Sequence, residues 1–106
     1  MGQGMSPIVP KARPKGVSVR KVKGGKLFRL RVSRTRRVAK VRLDGDLFIH
    51  PEEALGSIEG WLGQCLSMED ERSAERFLQG KLEEESIQII GADPAELVSA
   101  LWEAKG

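Results

Sequence analysis

Between Val41 and Leu62 the hydrophobic pattern of the chain changes its period, and that change decides what it can fold into. Up to Leu43 apolar residues recur at every second position; beyond Pro51 they recur at every third or fourth. Asp44-Gly45 supplies a turn or bulge, Leu47-Phe48-Ile49 is a short apolar run, and His50-Pro51 opens a helix. Proline is expected at the first helical position, where its missing N–H would be unpaired and its φ is already helical. Glu52 and Glu53 follow in the turn where negative charge meets the positive end of the helix dipole. Strands before this stretch and helices after it predict an α+β fold.

Upstream, two alternating runs, Val17 to Lys23 and Leu27 to Ser33, flank Gly24-Gly25, the signature of a two-residue hairpin whose turn needs positive φ. Phe28, Leu30 and Val32 alternate with Arg29, Arg31 and Ser33, giving one buried and one wet face. After the basic turn Arg34-Thr35-Arg36-Arg37, Ala39, Val41 and Leu43 point one way and Lys40 and Arg42 the other. The reading is a three-stranded antiparallel meander with a basic outer face built from Arg20, Arg29, Arg31, Lys40 and Arg42. Residues 1–16, with Pro7, Pro10 and Pro14 and few large apolar groups, read as a flexible basic tail, leaving 17–106 as the domain.

Downstream, a first helix is expected from about Pro51 to Leu66, its stripe formed by Leu55, Ile58, Leu62 and Cys65 or Leu66. Gly56, Gly60 and Gly63 weaken it, so packing must hold it, or glycine lets it approach the sheet closely. Ser67 to Glu71 is an acidic connection. A second helix, about Arg72 to Glu85, turns Ala74, Phe77, Leu78 and Leu82 inward. Ser86 to Gly91 is a short extra strand or extended link. Asp93-Pro94-Ala95-Glu96 is a full helix start, with Asp93 as N-cap and Glu96 completing a capping box. Leu97, Val98, Leu101 and Trp102 stripe the last helix. About three helices should therefore pack on one face of the small sheet.

Charge is divided unevenly along the chain. Of its 18 basic residues 14 lie in the first 42 positions, and none of its 15 acidic residues does. Such polarity points to an anionic partner, or to two halves that neutralise each other in one body. No apolar run approaches the roughly 20 residues of a membrane span, and the N-terminus has no apolar core like that of a signal peptide. The single cysteine makes neither an internal disulfide nor a zinc cluster built on cysteine pairs. A reducing, cytoplasmic setting is expected.

No catalytic constellation stands in the sequence. Lys23-Gly24-Gly25-Lys26 lacks the spacing and the Ser or Thr of a phosphate loop of the Walker kind. It can still cradle a phosphate or carboxylate with backbone N–H groups between two ammonium groups, although a plain hairpin also explains its glycines. His50, the only histidine, has a helix-start role as its simplest reading. Glu52 and Glu53 point about 100° apart on a helix and form no carboxylate pair. Glu83-Glu84-Glu85 is a solvated helix end. Cys65 falls on an apolar stripe, where a buried, inert thiol is expected.

Lys21-Val22-Lys23-Gly24-Gly25-Lys26-Leu27, the segment from Leu43 to Leu55 and Ile90-Gly91 before the last helix together resemble the C-terminal accessory domain of lipoate–protein ligases. In some organisms that domain is a separate small polypeptide beside a larger catalytic chain. The resemblance covers about Val17 to Lys105 and is most specific from Gly45 to Leu55. One departure is Lys23, where such proteins usually have proline. The resemblance implies a scaffold similar to iron–sulfur assembly proteins of the NifU and SufE type. It also implies a heterodimer with the catalytic large subunit, which uses ATP, Mg and lipoate to form lipoyl-AMP and then serves lipoyl-acceptor domains. The small chain binds no cofactor alone. On this reading Gly24, Gly25 and Lys26 form the loop nearest the nucleotide, and Asp46, Phe48 and His50 shape the surface that meets the large chain.

Two other classes compete. A nucleic-acid-binding module would use the basic face, but no aromatic residue is expected there to stack a base. A scaffold for sulfur or iron delivery would need Cys65 exposed and reactive.

Overall fold

The computed structural model describes residues 17–21, 27–34 and 39–105; the tail, the Gly24-Gly25-Lys26 loop and the basic turn after Arg34 lie outside them. Strands β1 (Val17–Lys21), β2 (Leu27–Arg34) and β3 (Ala39–Gly45) form the expected antiparallel meander in the order β1-β2-β3. Alternation settles the two faces of its described side chains. Phe28, Leu30, Val41 and Leu43 are buried, while Arg29, Arg31, Lys40 and Arg42 are exposed. The β2–β3 register sets Leu30 opposite Leu43 and Arg31 opposite Arg42, so each face is continuous across the pair.

The extra strand does not join this sheet. Strand β5 (Gln88–Ile90) pairs antiparallel with β4 (Phe48–His50), and together they form a second, two-stranded sheet. The apolar run before Pro51 is thus a strand in its own right. Gly45 makes the separation possible: at φ +128° it turns the chain out of β3, a conformation that L side chains rarely adopt. A pairing between segments some forty residues apart leaves no trace in local periodicity.

Pro51 also differs from expectation. It stands outside the helix as its N-cap, with φ −73° and ψ 156°, and a 3-10 turn, Glu52–Ala54, leads into α1 (Leu55–Cys65). A φ near −70° serves extended backbone as well as helix, so proline did not fix which side of the boundary it occupies. The turn closes through Ala54 N–H donating to Pro51 C=O at 3.0 Å.

Helix α2 (Glu71–Glu84) begins at Asp70, whose Oδ1 accepts the Ser73 N–H at 2.7 Å. That hydrogen bond holds the Asp70 carboxyl below its ordinary value. Helix α3 (Pro94–Lys105) carries the complete capping box: Asp93 Oδ1 accepts Glu96 N–H at 2.8 Å, and Glu96 Oε1 accepts Asp93 N–H at 3.0 Å.

Helix α1 packs along β3, α3 lies across β1 and β2, and α2 rests principally on those two helices rather than on the sheet. The core gathers Ile58, Leu62 and Cys65 from α1, Ala74, Leu78 and Leu82 from α2, and Leu97, Val98, Ala100 and Leu101 from α3. Phe77 and Trp102 are only partly buried, each with a lysine over its ring. This is a small α+β domain, as the change of period predicts.

The end of α2 holds a stability reserve. Ile87 N–H donates to Leu82 C=O at 2.9 Å and Ser86 N–H to Glu83 C=O at 3.2 Å, the paired bonds of a Schellman cap. The residue at its left-handed position is Ser86, φ 56°, where glycine is ordinarily found. Ser86→Gly should raise the unfolding free energy by about 1 kcal/mol, the cost of a left-handed L residue, read as a higher urea midpoint with an unchanged slope.

Candidate functional site

Three residues in a row that are all apolar cannot all face inward on a strand. In Leu47-Phe48-Ile49 the middle one is turned out: Phe48 is 61% exposed, and its register partner Ile90 is 46% exposed. Ile49 and Ile89, one position along, are the pair that packs on the core. Leu27, 45% exposed, is the third large apolar side chain left open to solvent among the described residues. These three account for the exposed bulky apolar surface described in the domain.

Asp46 holds the backbone of Leu27. Its Oδ2 accepts the Leu27 N–H at 3.2 Å, and its own N–H donates to Leu27 C=O at 2.7 Å. Leu27 directly follows Lys26 in sequence, and Asp46 directly precedes Leu47, the residue before β4. Two glycines seal this junction. A Cβ at Gly45 would stand 2.6 Å from Leu27 O and from Phe28 Cα, and one at Gly91 would stand 2.7 Å from Asp46 O. Gly91, at φ +115°, also adopts the left-handed backbone that favours glycine.

His50 is exposed at the far end of β4, opposite Gln88. It lines an open groove of about 500 Å³ with Pro51, Leu82, Glu83, Ser86 and Ile87. Of the residues expected to shape a partner surface, Asp46 stands two residues before β4, Phe48 opens that strand and His50 closes it. Gly24, Gly25 and Lys26 lie outside the described residues.

The basic face is smaller than the sequence suggests. Arg29 Nε meets Asp44 Oδ1 at 3.3 Å, and Arg31 Nη2 meets Asp44 Oδ2 at 3.8 Å, so one carboxylate serves two guanidinium groups. These pairs are half exposed and contribute little to stability. Lys40 and Arg42 have no ion-pair partner among the described residues. In the β1–β2 register Arg20 stands opposite Phe28, and Arg29 and Arg31 stand opposite Val19 and Val17.

Cys65 is fully buried, its Sγ 3.7 Å from Ala74 C=O, and burial pushes the thiol up to about 11. A thiol in that state is no acceptor for sulfur transfer. Among the described residues no three His, Cys, Asp or Glu side chains converge as metal ligands would, and no helix is long and apolar enough to cross a membrane. Compared with protein-family profiles, with curated proteins and with solved structures, the chain has no match in any of the three.

Sequence reasoning missed Ile90 and Leu27 as surface residues. The signal for Ile90 was present: Ile87 and Ile89 share one parity, and Ile90 falls out of step with them.

Proposed function

We propose that this chain is the accessory subunit of a two-chain lipoate–protein ligase, a non-catalytic partner required for ATP-dependent formation of lipoyl-AMP. Its fold is then a variant of the NifU/SufE-type scaffold, and it works in the cytoplasm. One observation carries the reading. The segment most specific to the resemblance, Gly45 to Leu55, is also the segment that supplies Phe48 to the exposed Phe48–Ile90 pair and holds the Leu27 backbone through Asp46. An exposed apolar pair suits a subunit that docks on a larger chain, and on this reading the Lys23-Gly24-Gly25-Lys26 sequence would offer N–H groups and charge at the edge of its nucleotide site. ATP and its magnesium ion belong to the catalytic subunit on this reading.

With the large subunit, ATP and lipoate, pyrophosphate release should rise at least about tenfold on adding this chain, equivalent to roughly 1.4 kcal/mol of barrier. Equal release with and without it would overturn the subunit assignment. A Lys26→Ala chain that binds its partner and supports full adenylation would remove the loop alone from the reading.

A further inference from the structure

The buried row of the β1-β2-β3 sheet takes up the helices, and its outward row, with Arg29, Arg31, Lys40 and Arg42, is exposed. We infer that this outward face docks an acidic patch of the lipoyl-acceptor domain, the protein whose lysine takes the lipoyl group from lipoyl-AMP and releases AMP. The inference rests on the ligase reading and gives the accessory chain a second task beside adenylation.

The register fixes how the charges lie. Arg29 and Arg31 alternate along β2, Arg31 stands opposite Arg42, and Lys40 follows Arg42 along β3. They form a band about 13 Å long, four strand residues from the level of Arg29 to that of Lys40. Asp44 does not cancel it. Its carboxylate takes the Arg29 fork at 3.3 and 3.4 Å, and Arg31 reaches it only at 3.8 Å. One carboxylate thus sets the Arg29 guanidinium in place and leaves most of the five Arg31 N–H donors unused. Glu59, at the margin of the band, accepts the Leu43 N–H at 2.8 Å and makes no ion pair with Arg42 or Lys40. Four cations against these two carboxylates leave the face positive, and its free charge resides on Lys40 and Arg42.

The make-up of the face favours a protein over a nucleic acid. Its described outward positions carry no aromatic ring on which a base could stack, since Phe28 is turned into the core. Asp44, inside the band, repels a phosphate backbone, whereas a protein surface can set a donor against it and carboxylates against the arginines. Leu27, 45% exposed in the same outward row as Arg29 and Arg31, offers an apolar spot that phosphates cannot use. Arginine forks match carboxylates bidentately and are enriched at protein interfaces. The kind of surface also separates the two partners. An exposed apolar pair such as Phe48–Ile90 suits the lasting contact with the catalytic chain. A charged, solvated face gives fast, salt-sensitive encounters, which suits a protein substrate that must leave after each transfer.

The test is lipoyl transfer by the two-chain enzyme to an unmodified acceptor domain, with ATP and lipoate saturating. Lys40→Glu with Arg42→Glu should raise the KM for the acceptor at least about tenfold, with pyrophosphate release in the absence of acceptor unchanged. Both side chains are exposed, and Arg42→Glu sets a carboxylate opposite Arg31, so the fold should stand. Raising salt from about 50 mM to about 200 mM should raise the KM of the unaltered enzyme and barely move that of the variant. Arg72→Glu with Arg76→Glu, an equal change of charge at exposed positions of α2, should leave the KM where it was. An unchanged KM in the Lys40, Arg42 variant overturns the inference, as does an equal rise in the α2 variant, which would reduce the effect to net charge. A short DNA duplex that competes with the acceptor at equal or better affinity overturns it too. Pyrophosphate release that ignores the unaltered chain removes the subunit reading and this inference with it. Release that responds to the chain, beside a KM that ignores the face, removes this inference alone.

Discussion

Gly45→Ala should lower the melting temperature by about 15 °C, while the same change at Gly60 should raise it slightly. The two substitutions add an identical methyl group and remove the same backbone freedom from the unfolded chain. They differ in what the methyl group meets. At Gly45 it would stand 2.6 Å from Leu27 O and 2.6 Å from Phe28 Cα, both backbone atoms that cannot swing aside. The backbone at φ +128° is itself strained for an L residue. Together these terms cost about 3 kcal/mol, a large share of the roughly 5–15 kcal/mol that holds a domain of this size. Each kilocalorie moves the midpoint by about 4–8 °C in such a domain. At Gly60 the added Cβ meets nothing within 4 Å, and helix propensity gains about 0.8 kcal/mol. Calorimetry on the two variants checks both signs. Equal midpoints would mean that Gly45 can leave its left-handed conformation without disturbing β2.

The contrast shows what could be read from the residues and what could not. Alternation across Phe28, Leu30, Val41 and Leu43 placed the sheet's core face, because burial of every second side chain is a local property of a strand. Asp93 and Glu96 announced α3 because a capping box is also local. The pairing of β4 with β5 was not legible, since it joins segments separated by two helices. Nor was the position of Pro51, because one φ serves both sides of the helix boundary. The candidate site was half visible. Phe48 was singled out from its motif, yet the out-of-step Ile90 that completes the apolar pair became evident only once the strands were set side by side.

If the proposed subunit reading holds, Phe48→Ala should weaken association with the catalytic chain by about 2 kcal/mol, roughly 30-fold in Kd, while leaving the fold in place. A side chain 61% open to solvent contributes little burial to folding, so its truncation should leave the melting temperature within a few degrees. The same exposure makes it the largest apolar group available to a partner, and aromatic anchors at the centre of an interface carry a disproportionate share of binding energy. Ile90 stands beside it in register and extends the patch, so Phe48→Ala with Ile90→Ala should lose more than either change alone. Because the defect lies in docking rather than chemistry, adenylation by the variant should recover when its concentration is raised well above the weakened Kd. A defect that persists at saturation would place Phe48 at the nucleotide end of the complex. Unchanged affinity together with unchanged adenylation would mean that this face does not meet the large subunit, and the docking surface would have to be sought elsewhere on the domain.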